Sequence, residues 1–252
     1  MKILCIHSLA IHGTASLKVM MRLLGTKLLP VASLYLSGLT NLKGIIKTQV
    51  AFEPLLKSSF ELARQREEKL IVYIGYLGSA QQTHFIRQCL DAFQDLIEAV
   101  IVDPVSGDHG RAYVPAEVIE AWPELLARAD WALPNFTELG LFSGFDRFAQ
   151  RSVEELLNAF EQRFPQLNYL ATSLPHPSDI KVCLHQTNKR EFFTHQLLSP
   201  HFGGTGDYFG ANFVDALYLQ KRSPQEAMQF AALQTLACIQ RSIDAKSPDL
   251  LI

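Results

Sequence analysis

Short runs rich in Ile, Val, Leu and aromatic residues alternate along the chain with longer stretches whose apolar residues recur at helical spacing. This pattern builds a mostly parallel sheet covered by helices. The clearest strands are predicted at residues 2–7, 27–35, 70–74, 99–103, 131–133 and 168–172, with Gly, Pro, Ser or Asn often flanking them. Helices are predicted at 15–24, 54–68, 82–96, 115–128, 153–163, 208–219 and 224–243. Such alternation favours right-handed crossovers. Two β-rich runs, 180–186 and 190–196, are separated by Thr187, Asn188 and Lys189 and read as an antiparallel hairpin at one end of the sheet. No internal repeat, Pro/Ser-rich linker or low-complexity segment marks a second domain, so residues 1–252 read as one α/β domain.

Open parallel sheets gather ligands beyond the carboxyl ends of their strands, where backbone groups and helix starts converge. Polar clusters fall at such positions: His7-Ser8 after the first strand, Gly75-Tyr76 after the third, Asp103 after the fourth and Pro134-Asn135 after the fifth.

The most specific signal is Gly203-Gly204-Thr205-Gly206-Asp207, a glycine turn feeding a segment with helical apolar spacing. Free N–H groups and the positive end of a helix bind developing phosphate charge, and glycines let a phosphate approach the backbone. A carboxylate at that helix start is favoured in its ionised form, so Asp207 is placed to accept a hydroxyl proton during phosphoryl transfer. The same five residues also suit a glycine turn with Asp as a helix cap. The neighbouring segments bear on that choice. Val102-Asp103-Pro104-Val105-Ser106-Gly107-Asp108, Tyr113-Val114-Pro115 and Leu133-Pro134-Asn135-Phe136-Thr137-Glu138 put three acidic stations after predicted strands. Magnesium with ATP needs oxygen ligands or water-holding carboxylates, which Asp103, Asp108 and Glu138 can supply. Singly, Asp103 and Asp108 would also serve as turn residues, and Glu138 as part of the first turn of an exposed helix.

Together and in this order, these segments resemble the ribokinase-like kinases. The Asp-Pro-Val-x-Gly-Asp run with its downstream Tyr-Val-Pro resembles pyridoxal kinase in particular, over roughly residues 3–216. The resemblance implies a three-layer sandwich with a mostly parallel central sheet and helices on both faces. It implies Asp207 as the base, with Gly204 and Gly206 facing phosphate. On the acceptor side, Ser8 and Thr40 would hydrogen-bond a pyridine ring's polar groups and Tyr76 would cover its face. On the ATP side it implies Asp103, Asp108, Tyr113, Thr172 and Thr205 beside those glycines, with Asp103 and Glu138 serving Mg2+. A homodimer is also implied, and a K+ requirement is left open. A flat heteroaromatic alcohol needs stacking plus a few oriented polar contacts, which this set offers. The chain departs from the family pattern at His12-Gly13-Thr14-Ala15-Ser16-Leu17, where only Gly13 is kept from a glycine-rich stretch, and at Leu36-Ser37-Gly38-Leu39-Thr40, which lacks an Asn-His pair. The stretch from 172 to 203 is also unlike typical members.

Charge and composition narrow the partners. With 23 Lys+Arg against 25 Asp+Glu and no basic run, nothing suggests a sequence-independent grip on nucleic acid. The opening apolar run is short and soon interrupted by His7, Ser8 and His12, unlike a signal peptide, and no stretch approaches a membrane span. The four cysteines are scattered without a C-x-x-C pair, which reads as buried thiols in a reducing cytoplasm. None of the eight histidines (7, 12, 84, 109, 176, 185, 195 and 201) has metal-ligand spacing, although His109 follows Asp108 and so could approach phosphate. The leading expectation is an ATP-dependent kinase for the 5'-hydroxymethyl of pyridoxal or a related B6 vitamer. The alternatives are a hydroxymethylpyrimidine kinase of thiamine synthesis and a vitamer-binding protein without turnover.

Overall fold

Residues 70–74 are apolar at every position, as a strand covered on both faces must be, and all five are buried in a parallel sheet. The computed structural model describes residues 1–40, 42–145, 150–177, 179–186 and 189–252. Among these, nine strands form one sheet: β1 (Lys2–Ala10), β2 (Leu28–Leu36), β3 (Lys47–Gln49), β4 (Leu70–Ile74), β5 (Ile97–Val102), β8 (Trp131–Ala132), β9 (Asn168–Pro175), β10 (Asp179–Gln186) and β11 (Lys189–Gln196). Their spatial order is β11-β10-β9-β8-β5-β4-β1-β2-β3. The six strands from β9 to β2 pair in parallel, while β10, β11 and β3 add antiparallel edges. The expected hairpin is therefore present at one end of the sheet, with Lys189 opening its second strand; Thr187 and Asn188 lie outside the described residues. A separate two-residue ribbon, β6 (Gly107–Asp108) with β7 (Arg111–Ala112), follows β5.

Side chains alternate between the two faces of each strand and so build two cores. Leu4, Ile6, Val72, Ile74 and Val102 join the cluster that takes α2 (Phe52–Gln65), α3 (Ala80–Ala92), α4 (Ala116–Leu126), α5 (Phe136–Phe142) and α6 (Val153–Arg163). Ile3, Cys5, Ile71, Tyr73 and Ile101 join the opposite cluster, which takes α1 (Leu17–Leu24), α7 (Thr205–Val214) and α8 (Pro224–Asp244). This is the expected three-layer sandwich. Fully buried anchors such as Phe60, Phe142 and Phe160 each contribute about 1.5–3 kcal/mol relative to exposure.

Several boundaries differ from the sequence expectation. The stretch 82–96 splits into α3 and a 3-10 turn at Gln94–Leu96. Helix α7 starts at Thr205 rather than 208 and passes into a π-type turn at Asp215–Leu219. Helix α1 starts at Leu17 because Ser16 adopts a left-handed φ of 55°, costly for a residue with a Cβ. The chain leaves β1 for β2 on one side and then lays β4, β5, β8 and β9 on the other. The carboxyl ends of β1 and β4 thus flank the switch point, where such sheets open a crevice.

Candidate active site

Two adjoining cavities open at this end of the sheet, one of about 510 Å3 and one of about 680 Å3. Ser8, Thr40, Tyr76 and Asp207, expected from four distant segments to meet the acceptor, all line the larger cavity. Asp108, Thr172, Thr205 and Gly206 line both cavities and mark the seam between them. Asp103, Tyr113, Glu138 and Gly204, expected on the nucleotide and metal side, border the larger cavity only.

The glycine turn needs a residue without a Cβ at its helix cap. Gly204 caps α7 with φ 86°, and a Cβ there would come within 2.2 Å of the Thr14 carbonyl, so only glycine fits. Asp207 sits in the first turn of α7 and is 9% exposed. It does not cap its own helix. Its Oδ2 accepts the Ser16 N–H at 2.6 Å, and its Oδ1 lies 2.9 Å from Nε2 of His7, in the carboxyl half of β1. Burial pushes the Asp207 carboxyl up, but the facing His7 and the Ser16 amide outweigh it and hold the group below the usual carboxylate value. The backbone twist at Ser16 thus aims an N–H at the carboxylate. The Ser8 hydroxyl is itself buried and donates to Ser16 Oγ at 2.9 Å, so it braces this loop.

Asp103, at the end of β5, is 7% exposed and accepts the Tyr73 hydroxyl at 2.8 Å. One ligand atom each of His7, Asp103 and Asp207 lie within 4.8 Å of one another. Burial, reinforced by the Asp207 charge, pushes the Asp103 carboxyl up to about 7 against the pull of His7 and Tyr73. A divalent cation would relieve this condition, so Asp103 fits a magnesium ligand. Glu138 is 2% exposed on a buried α5, not on an exposed helix. With Asn135 it closes a capping box: Glu138 N–H donates to Asn135 Oδ1 and Asn135 N–H to Glu138 Oε2, both at 3.0 Å. Its Oε1 takes the Ser106 N–H at 2.9 Å and reaches Gly107 N at 3.5 Å, while Asn135 Nδ2 donates to the Gly107 carbonyl. Burial and Asp103 push the Glu138 carboxyl up against these amides. With both oxygens on backbone amides, Glu138 fits a cation's water shell rather than direct ligation. The β6–β7 ribbon turns on left-handed His109 and Gly110 and presents Asp108 and Tyr113 at the cavity rim.

Sequence reasoning missed three groups: the His7 contact to Asp207, the Tyr73 hydroxyl and the apolar walls of the smaller cavity. Those walls come from Ile180 and Val182 of β10 and Leu236 and Ile239 of α8. His7 carried a legible signal as a polar residue at a strand end, whereas Tyr73 and the cavity walls read as ordinary core positions.

A glycine turn opening a helix, with a first-turn carboxylate lining the larger of two adjoining cavities at the switch point of an α/β sandwich, is the arrangement of the ribokinase-like fold. The sequence model of the phosphomethylpyrimidine kinase family matches residues 36–249, and the chain belongs to that family. The pyridoxine/pyridoxal/pyridoxamine kinase of Bordetella avium is 30% identical over 178 residues, which cover 66% of this chain and 60% of that protein. The pyridoxal kinase of Dictyostelium discoideum is 28% identical over 195 residues, covering 72% and 63%. The chain therefore spans less than two thirds of the length of these relatives. A candidate phosphomethylpyrimidine kinase from Bacteroides thetaiotaomicron, solved in a crystal form with pyridoxal, superposes with a TM-score of 0.85 at 26% identity, covering 96% of this chain and 88% of that one. Pyridoxal kinase from Lactobacillus plantarum shares the fold with a TM-score of 0.84 at 21% identity, covering 98% and 91%.

Proposed function

We propose that the chain transfers the γ-phosphoryl group of ATP to the 5'-hydroxymethyl of pyridoxal or a related B6 vitamer. The observation that carries this reading is the placement of Asp207, buried, held ionised, and lining the acceptor-sized cavity one residue from the Gly206 seam. A binding protein has no need of such a base. In the proposed reaction the nucleotide occupies the smaller cavity, and its terminal phosphate meets the Gly204–Gly206 turn and the N-terminus of α7. The vitamer lies in the larger cavity beside Tyr76, with Ser8 and Thr40 at its polar rim. Asp207 accepts the proton of the acceptor hydroxyl as the new O–P bond forms and the β,γ bridging P–O bond breaks, releasing ADP. Asp103 would hold Mg2+, with Glu138 behind it through water; when bound, the ion neutralises charge on the phosphate oxygens.

The match to the phosphomethylpyrimidine kinase family supports a second acceptor, hydroxymethylpyrimidine, which presents the same alcohol on a similar ring. Both acceptors are distinguished by incubating the chain with Mg-ATP and, separately, pyridoxal, pyridoxine, pyridoxamine and hydroxymethylpyrimidine, with phosphorylated product followed by mass spectrometry. A B6 product whose turnover falls by about 10²–10⁴ in Asp207→Asn is the expected result. Product from the pyrimidine alone would move the reading to thiamine synthesis, and product from none would overturn it. A homodimer belongs to the same proposal and is read by light scattering.

A further inference from the structure

His7 has no assigned part in the transfer, yet it is 1% exposed and its Nε2 lies 2.9 Å from Asp207 Oδ1. Its Nδ1 accepts the Ser8 backbone N–H at 2.9 Å, which assigns the ring hydrogen to Nε2, the atom facing Asp207 Oδ1 at 2.9 Å. The contact is at ion-pair distance but does not meet the geometry of a hydrogen bond, which leaves Nε2 otherwise without a partner. Such contacts are often poorly aligned before a ligand binds. Gly75, at the end of β4, makes room for the ring: a Cβ there would lie 2.0 Å from His7 Cδ2. Two strand ends and one amide thus hold a single imidazole against a single carboxylate. The same assignment argues against a metal at His7, Asp103 and Asp207, because a protonated Nε2 offers no lone pair.

We propose that His7 is a positioning residue for Asp207. Its Nε2–H fixes Oδ1 while the Ser16 amide fixes Oδ2, so that the remaining lone pairs point into the acceptor cavity. His7 transfers no proton. This inference rests on the kinase reading and assigns one of its parts to a residue outside the glycine motif.

The test compares His7→Leu, which keeps an apolar side chain of similar bulk, with His7→Gln, whose amide can place an N–H near the Nε2 position. His7→Leu is expected to lower kcat by about 100-fold with the acceptor KM held within about threefold, since an orientation lost at the reacting group appears in the transition state rather than in binding. His7→Gln should recover most of that loss at matched thermal stability. In an Asp207→Asn background, His7→Leu should cost nothing further, because a residue acting through another adds no loss once the other is gone. Wild-type turnover that persists unchanged in His7→Leu, or full additivity with Asp207→Asn, overturns the positioning role and leaves the kinase reading intact. Absence of wild-type turnover overturns both. If His7→Leu fails to fold, histidine-ring 15N spectra of the wild type still decide the geometry. A protonated Nε2 with a bare Nδ1, the Nε2 resonance moving in Asp207→Asn, is expected; a protonated Nδ1 overturns the proposal.

Discussion

Asp103 costs the free chain stability, and Asp103→Asn should recover it. The unfolded chain carries this carboxyl at its ordinary value near 3.8, whereas burial and the Asp207 charge raise it to about 7 in the folded state. The folded protein therefore holds a proton that the unfolded chain releases, so stability present below the unfolded value is lost as pH rises toward the folded one. At roughly 1.36 kcal/mol per unit the ceiling is about 4 kcal/mol. Desolvation and the Asp207 charge make up this shift between them, and removing one charge recovers part of it, about 2 kcal/mol. The Asn side chain keeps an oxygen for the Tyr73 hydroxyl, so the substitution removes the charge and not the hydrogen bond. For a chain of this length the gain corresponds to roughly 4–8 °C in Tm at pH 8. Differential scanning fluorimetry with a chelator present, at pH 8 and at pH 4, reads it. The variant should melt higher at pH 8 and level with the wild type at pH 4. Adding Mg2+ with ADP should stabilise the wild type more than the variant. A variant less stable than the wild type at pH 8, or a difference that persists at pH 4, would refute the reasoning.

Gly206→Ala tests whether the space over the turn belongs to a ligand. A Cβ at Gly206 meets nothing within 4 Å, so the variant should fold and gain up to about 1 kcal/mol from helix propensity, while the KM for ATP rises about tenfold or more. Thermal melts and initial rates against ATP concentration check it, and an unchanged KM would place the phosphates elsewhere. Glu138→Ala removes the acceptor of the Ser106 and Asn135 amides and the Gly107 contact, and should cost about 2–3 kcal/mol because those donors are left unmet. Amide exchange at Ser106 should speed up along with the drop in Tm.

The layers of the fold were legible because parallel strands buried on both faces are written as unbroken apolar runs, and β4 matches its expected span. The hairpin was legible from its two β-rich runs. Helix α5 was absent from the predicted helices because seven residues hold too little periodicity, although its Asn135-x-x-Glu138 capping box stood in the sequence and Glu138 was readable as a first-turn residue of a helix. Strand β3 was missed because Lys47, Thr48 and Gln49 are all exposed and carry no apolar alternation. In the site, the glycine turn was legible as glycines clustered before a helical run, and the acidic stations were legible from their place just after predicted strands. Tyr73 did not, because its ring is a core residue of β4 and only its hydroxyl reaches Asp103. Ser16 did not either, since the group it contributes is a backbone N–H, which every residue but proline carries.

Burial alone does not decide which of the two neighbouring carboxylates can act as the base. Asp103 and Asp207 are 7% and 9% exposed, so desolvation raises both nearly alike. The donors differ. Asp207 has the Ser16 amide, the His7 contact and the start of α7, all favouring the charged form; Asp103 has one phenol and a share of the His7 pull, and it sits beside the Asp207 charge. Their carboxyls are consequently held on opposite sides of the usual value, which suits Asp207 to the proposed role of base and Asp103 to the proposed role of cation ligand. The division of labour follows from three positions: a left-handed serine, a histidine seated against a glycine, and a helix opened by a residue with no side chain. Substituting either carboxylate for the other would leave it without the donors its role requires.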